Sequence, residues 1–428
     1  MPENLTQGKV CVVVGASHAG VNFAFALRKE GWEGEIILFD RDPALPYHRP
    51  PLSKTYLSGE GETELPPLKS AESYQEAEIS LRLGVNVIEI NRDQHTVTLS
   101  DGNKQPYDKL VLATGARPFI PPIKGIDTAH YLYPLRTVED VNNIRMALAE
   151  GKGKSVVIIG GGYIGLETAA SLKKLGSNVK VLELEERILA RVTAPVMSQF
   201  FYDLHQKNGV EILTGKTASS IETEDEVNTV VCADGSRHPA DVIVVGCGIR
   251  VNQELAEQAG LEIENGIRVD SSARSSDEDI YAIGDCTFHH NPHYDCFVRL
   301  ESVQNAVDQA KVAAKSVVAA AIATSTNIEK DVIYDTIPWF WSDQYDVKLQ
   351  MVGLSTGYNQ TVVRKEESDN NKFSVWYFKD NDLLAVDAVN NAKAYVLGTK
   401  FIKGGQKIDK AKLGDPSVDF KPANLLVS

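Results

Sequence analysis

The chain has 428 residues, 43% of them apolar and 24% charged, so packed cores are expected and wholesale disorder is not. That length suggests about three domains. With 44 Lys+Arg against 58 Asp+Glu the formal charge is −14, a surface that repels a phosphate backbone and excludes a general nucleic-acid-binding role.

The opening residues, Met1-Pro2-Glu3-Asn4-Leu5-Thr6, lack the basic flank and apolar stretch of a secretion signal, and the apolar run 316–324 is too short to span a bilayer. A first βαβ pattern follows. Lys9–Val14 is a β-branched run, Gly15-Ala16-Ser17-His18-Ala19-Gly20 a glycine turn, residues to Gly31 an apolar stretch of helical period, and Glu35–Asp40 a second strand. Pro46, Pro50 and Pro51 stiffen the next loop. Tyr107–Gly115 reads as a strand entering a glycine turn, and Pro118, Pro121 and Pro122 mark a linker.

The βαβ pattern then recurs. Ser155–Ile159 leads into Gly160-Gly161-Gly162-Tyr163-Ile164-Gly165, a helical stretch to Gly176, and a strand ending at Glu183, with Gly160 standing 145 positions after Gly15. Residues 241–248 and 280–285 repeat the strand-then-glycine pattern, and a helix is predicted from about Val303 to 323. Beyond 331 the texture changes to alternating strands at 348–352, 361–364, 373–378 and 383–389, which reads as a separate α+β domain. The predicted fold is α/β: two Rossmann-like dinucleotide-binding domains, glutathione-reductase-like, plus a C-terminal α+β domain. The expected boundaries are 1–117 with 249–328, 118–248, and 329–428.

Each glycine turn has its strand before it, its helix after it and a carboxylate ending the next strand. Asp40 and Glu183 lie 20 and 18 residues past Gly20 and Gly165, placed for a ribose hydroxyl, while the turn brings backbone N–H groups to a pyrophosphate. Ser17 stands where the first motif would have its middle glycine. Glu183, with Glu185 and Glu186 nearby, repels a 2′-phosphate and favours NADH over NADPH. Two dinucleotides in one chain imply electron transfer between them, with a flavin as the carrier able to take two electrons and release them singly. The five cysteines (Cys11, Cys232, Cys247, Cys286, Cys296) form no C-x-x-C or C-x4-C pair, which argues against a dithiol redox centre and fits reduced thiols in a cytoplasm.

On residues 46–54, Ala113-Thr114-Gly115, Gly160–Glu167, Gly284-Asp285, residues 299–306 and Pro338–Gln344, the chain resembles the FAD-containing, NADH-dependent ferredoxin reductases of bacterial cytochrome P450 and aromatic-ring oxygenase systems. The likeness runs from about Lys9 to Lys421. It implies that Gly15, Ser17, His18, Ala19, Gly20 and Asp40 hold the adenosine half of FAD. It further assigns FAD contacts to Arg49, Lys54, Ala113, Thr114, Arg136, Asp285, Val303 and Trp341. Gly160, Gly162, Tyr163, Ile164, Gly165, Glu167, Glu183 and Gly248 would serve NAD. Lys54 and Glu167 would pair beside the flavin as the catalytic groups, and no metal is expected. His48 and His205 read as structural or exposed.

The implied partner is a [2Fe–2S] ferredoxin, docking through Arg299, Lys348 and the lysine-rich stretch from Lys393 to Lys412. Rubredoxin reductase is the alternative acceptor reading, and a signalling flavoprotein of the apoptosis-inducing-factor type is the alternative of another class. A peroxide reductase or oxidase using one thiol would need Cys286 beside the flavin. The expected location is the cytoplasm, without membrane attachment.

Overall fold

The computed structural model describes residues 6–59, 65–322, 332–366 and 369–427. The contacts divide the chain into two compact units: Met1–His48, Pro66–Arg117 and Arg250–Pro338 form one, and Arg49–Leu65, Pro118–Ile249 and Trp339–Ser428 the other. The expected 328/329 boundary, and the predicted end of the long helix at 323, lie outside the described residues.

In chain order, the elements that build the sites begin with β1 (Val10–Val14), α1 (His18–Lys29), β2 (Glu35–Asp40), β3 (Ile79–Leu83) and β4 (Lys109–Leu112). The middle of the chain gives β5 (Leu132–Pro134), α2 (Val138–Ala149), β6 (Ser155–Ile159), α3 (Tyr163–Lys174), β7 (Asn178–Leu182), α4 (Pro195–Lys207), β8 (Glu211–Leu213) and β9 (Val242–Val245). Then come β10 (Ile280–Ala282), α5 (Val303–Ile322), β11 (Trp339–Gln344), β12 (Val347–Gly353), β13 (Gln360–Glu366), β14 (Asp369–Lys379), β15 (Asp382–Val389) and α6 (Ala392–Lys403).

The first unit is organised by a parallel sheet of order β10-β4-β1-β2-β3. β1 reads Val-Cys-Val-Val-Val because both its faces are covered, as in parallel sheets generally. Cys11 and Val13 face a cluster with Phe23, Leu27 and the alanines of α5 (Ala310, Ala313, Ala314), while Val12 and Val14 face Leu110, Leu112 and Ile280. The small alanines are what let α1 and α5 approach closely.

The second unit carries two sheets. One is parallel, of order β8-β7-β6-β9-β5. Its α2 is started by a capping box, Thr137 accepting the Asp140 N–H and Asp140 reaching back to the Thr137 N–H. The other is antiparallel, of order β11-β12-β15-β14-β13. It includes Trp339–Gln344, an additional strand ahead of those expected from sequence. α6 lies on this sheet where Gly398 leaves room: a Cβ there would come within 2.7 Å of Val386.

Candidate functional site

The two glycine turns fold as near copies. Gly15 has φ +106° and Gly160 φ +115°, and a Cβ at either would strike the backbone of the adjoining strand's exit, at Ala113 O (2.2 Å) or Gly246 O (2.4 Å). Only glycine fits there, and the close approach leaves the helix N-terminus facing the crossover point of the parallel sheet, where such folds bind ligands. In the first unit Asp40 accepts the Ala16 N–H at 2.5 Å and the Asp42 N–H at 2.9 Å. In the second unit Glu183 accepts the Gly161 N–H at 2.6 Å and the Glu185 N–H at 2.8 Å. Each carboxylate is thereby held at the lip of its turn, with lone pairs left for ribose hydroxyls. Both cradles fit a dinucleotide. At Gly162, the residue matching Ser17, a Cβ would meet nothing within 4 Å, so there is space at the helix start. Ser17 is the helix N-cap in an extended conformation without a side-chain capping bond.

Around the first cradle, Ala113 and Thr114 follow β4, and the Thr114 hydroxyl donates to Asn252 O at 2.6 Å while the Asn252 amide donates to Thr114 O at 2.8 Å. Asp285 lies in a short 3₁₀ turn, Gly284–Cys286, directly after β10. The Gly284 N–H donates to Gln309 of α5 at 2.7 Å, tying that turn to the helix that Val303 opens. His18 is buried, with its ring edge-on to the exposed His48 at 5.6 Å.

In the second unit the structure brings Lys54 and Glu167 together. Glu167, 2% exposed on α3, accepts from Lys54 Nζ (2.6 Å) and Ser53 Oγ (2.6 Å) at Oε2, and from Ser342 Oγ (2.6 Å) at Oε1. Three donors converge on one buried carboxylate, which fixes the position of the Lys54 side chain. Behind Ser342 runs a chain of buried groups. Gln344 Nε2 donates to the Ser342 oxygen at 3.1 Å, and Gln344 Oε1 meets His205 Nε2 at 2.9 Å. Since that amide oxygen can only accept, His205 carries its proton on Nε2, and Nδ1 accepts from the Tyr345 hydroxyl at 3.3 Å. Burial pushes the imidazole down to about 4, so it is neutral at physiological pH. His205 is thus buried, with both ring nitrogens hydrogen-bonded within this chain of groups.

Arg49 donates to the backbone oxygen of Arg136 at 2.7 Å. Trp341 and Trp339 stack obliquely at 5.4 Å, with Tyr395 of α6 edge-on to Trp339 at 6.1 Å. Gly248 takes φ +100°. Arg299 pairs with Glu301, and Lys348 is exposed. Within the lysine-rich stretch, Lys407 pairs with Asp382, Lys410 bonds to Gln360 and Asp380, and Lys412 pairs with Asp409. Lys393, Lys400 and Lys403 are exposed at helical spacing on one face of α6, with exposed Val396 among them. Cys286 is fully buried, its thiol donating to Ile283 O at 3.3 Å, and burial raises its pKa, which makes it a poor nucleophile. Sequence pattern gave no role to Ser53, Ser342 or Gln344, because lone polar residues in loops and strands carry no periodic signal.

Residues 9–310 match the model of the pyridine nucleotide-disulphide oxidoreductase family, and residues 339–424 match that of the reductase C-terminal family. The chain belongs to the pyridine nucleotide-disulphide oxidoreductase family. It is 41% identical over 415 residues to putidaredoxin reductase CamA of Pseudomonas putida, which covers 96% of this chain and 95% of that protein. It is 38% identical over 413 residues to the ferredoxin--NAD(+) reductase component of the anthranilate 1,2-dioxygenase system of Burkholderia cepacia, covering 96% and 98%. The crystal structure of the covalent putidaredoxin reductase–putidaredoxin complex matches with a TM-score of 0.90 and 40% identity over 97% of each chain. Pro50-Pro51-Leu52-Ser53 follows the first βαβ unit, and the five cysteines of the sequence form no C-x-x-C or C-x4-C pair.

Proposed function

We propose that this oxidoreductase passes electrons from NADH through FAD to a [2Fe–2S] ferredoxin that supplies a cytochrome P450 or ring-hydroxylating oxygenase. The observation that carries the reading is the pairing of Lys54 with the buried Glu167 in a chain with two dinucleotide cradles and no C-x-x-C or C-x4-C pair. We assign FAD binding to 1–117 and 249–328, NAD binding to 118–248, and the C-terminal domain to 329–428.

In this assignment Gly15, Ser17, His18, Ala19, Gly20 and Asp40 bind the adenosine half of FAD. Ala113, Thr114, Asp285 and Val303 follow along the cofactor. Arg49, Lys54, Arg136 and Trp341 serve its flavin end. Gly160, Gly162, Tyr163, Ile164, Gly165, Glu183 and Gly248 take NADH, with Glu183 discriminating against a 2′-phosphate. Bound FAD supplies the conversion of a two-electron donor into one-electron deliveries. Lys54 provides a fixed positive charge, and Glu167 with Ser53 and Ser342 orients it. Lys393, Lys400 and Lys403 present the positive face that an acidic ferredoxin would seek.

Among the described residues no helix is long and apolar enough to cross a membrane, and we place the protein in the cytoplasm, where its unpaired cysteines would stay reduced. The test is to purify the chain, identify its bound flavin, and compare NADH with NADPH in reducing a panel of [2Fe–2S] ferredoxins and a rubredoxin at low and high salt. Salt-sensitive, NADH-driven ferredoxin reduction is expected. Preference for rubredoxin would replace the acceptor, and failure to bind FAD would overturn the reading.

A further inference from the structure

The NAD cradle is braced by one patch of the C-terminal sheet, within the same compact unit. Met351 of β12 and Asp387 of β15 are ladder partners, and Tyr377 lies on the adjoining β14. This patch touches both ends of the cradle. At one end the Tyr163 hydroxyl, on the first residue of α3, donates to Met351 Sδ at 2.8 Å. At the other, the Tyr377 hydroxyl accepts the Ala194 N–H at 3.0 Å and donates to Asp387 Oδ2 at 2.5 Å. Ala194 is the N-cap of α4 and ends the loop that begins at Glu183. Midway, the Leu189 N–H donates to Gly161 O at 3.0 Å, and Leu189 takes φ +54°, a left-handed conformation that leucine holds only when its surroundings impose it.

We propose that Tyr377 and Asp387 are positioning residues for NADH, holding residues 183–194 in the shape that sets Glu183 against the adenosine ribose. This rests on reading the 160–183 cradle as the NAD site. One oxygen, the Tyr377 hydroxyl, satisfies both the Ala194 N–H and the Asp387 carboxyl. Tyr377 is 0% and Asp387 4% exposed, so removing that oxygen leaves two buried polar groups unpaired. A loop released at Ala194 populates shapes that do not bind, and apparent affinity falls by the competent fraction. The loss is one of binding and leaves the chemical step alone.

The experiment uses FAD-loaded full-length enzyme: Tyr377→Phe, titrated calorimetrically with NAD+, with KM and kcat for NADH measured against ferricyanide. Kd and KM should rise about 3- to 10-fold, with kcat within about twofold. Asp387→Asn, which keeps an acceptor for the hydroxyl, should stay within about twofold of the parent. An unchanged Kd in folded Tyr377→Phe overturns the proposal, as does a fall in kcat at constant KM. Absence of NAD+ binding by the unsubstituted chain would sink the nucleotide assignment itself.

Discussion

The carboxylate of Glu183 closes onto the backbone of Gly161 at 2.6 Å, so the group we propose reads the nucleotide's ribose is also a structural part of the glycine turn. Its other oxygen takes the Glu185 N–H. Glu183→Ala removes both bonds and the charge that repels a 2′-phosphate. KM for NADH should rise by about tenfold, the scale of one charge-assisted hydrogen bond, and the ratio of kcat/KM for NADH over NADPH should fall by at least about tenfold. Steady-state kinetics with both nucleotides checks this; an unchanged ratio would show that selectivity resides elsewhere.

Glu167 differs from most paired carboxylates in accepting three bonds in a nearly dry setting. In Glu167→Gln the amide must turn its N–H₂ group toward donors, either Lys54 and Ser53 or Ser342, so at least one buried donor loses its acceptor. Lys54 keeps some exposure, 18%, which moderates the cost. Holoenzyme stability should drop by about 2 kcal/mol, read from the urea midpoint, and flavin reduction by NADH in a stopped-flow experiment should slow. Full-rate reduction in a stably folded variant would remove Glu167 from the catalytic assignment.

Both βαβ units were legible because several signals coincide within about thirty residues: a β-branched run, a glycine turn, helical periodicity and a terminal carboxylate. Their backbone contacts with Ala113 and Gly246 were not legible, since a closing strand can stand far along the chain. The Lys54–Glu167 pair came only from resemblance. Its serines sit 114 and 175 residues from Glu167, and nothing in a serine's local sequence announces which carboxylate it will meet. Arg364 and Asp387 were hidden in another way. On strands that alternate, a charged residue reads as facing solvent, yet Arg364 is 2% and Asp387 4% exposed. Tertiary partners, not periodicity, set those positions.

Asp387 carries a pH signature of its own. Burial pushes its carboxyl up to about 7. The folded state therefore holds a proton that the unfolded state releases near the ordinary Asp value of about 3.9. Between those two pH values the native state binds more protons, so this group's contribution to stability falls as pH rises through the window and levels off above about 7. His205 and His289, both pushed down to about 4 by burial, act oppositely: their contribution is lost as pH falls from about 6.5 toward 4. In Asp387→Asn the downward trend should vanish, leaving stability that only rises from pH 4 to 7. Denaturant midpoints at half-unit pH steps check it, and parallel curves for variant and parent would contradict it.

Arg364 closes the end of the C-terminal domain by a means unusual for a buried cation. Its guanidinium donates to four backbone carbonyls, Leu413 O at 3.0 Å, Asp415 O at 2.9 Å, Pro416 O at 3.5 Å and Val418 O at 2.8 Å, and lies 4.5 Å from the centre of the Phe420 ring. The planar fork of arginine spans carbonyls on successive turns of one loop, which a lysine ammonium, with a single nitrogen, cannot do. Arg364→Met keeps the apolar stem but strands the carbonyls away from bulk water, at about 1 kcal/mol or more for each. The loop over 413–420 should loosen before the rest of the molecule. Arg364→Lys should recover only part of the loss. Limited proteolysis with mass spectrometry, alongside thermal unfolding, tests the point: new cleavage confined to 413–420 with a Tm lowered by several degrees is expected. Parental protease resistance in both variants would show that the β13–β14 sheet edge holds the segment without the guanidinium.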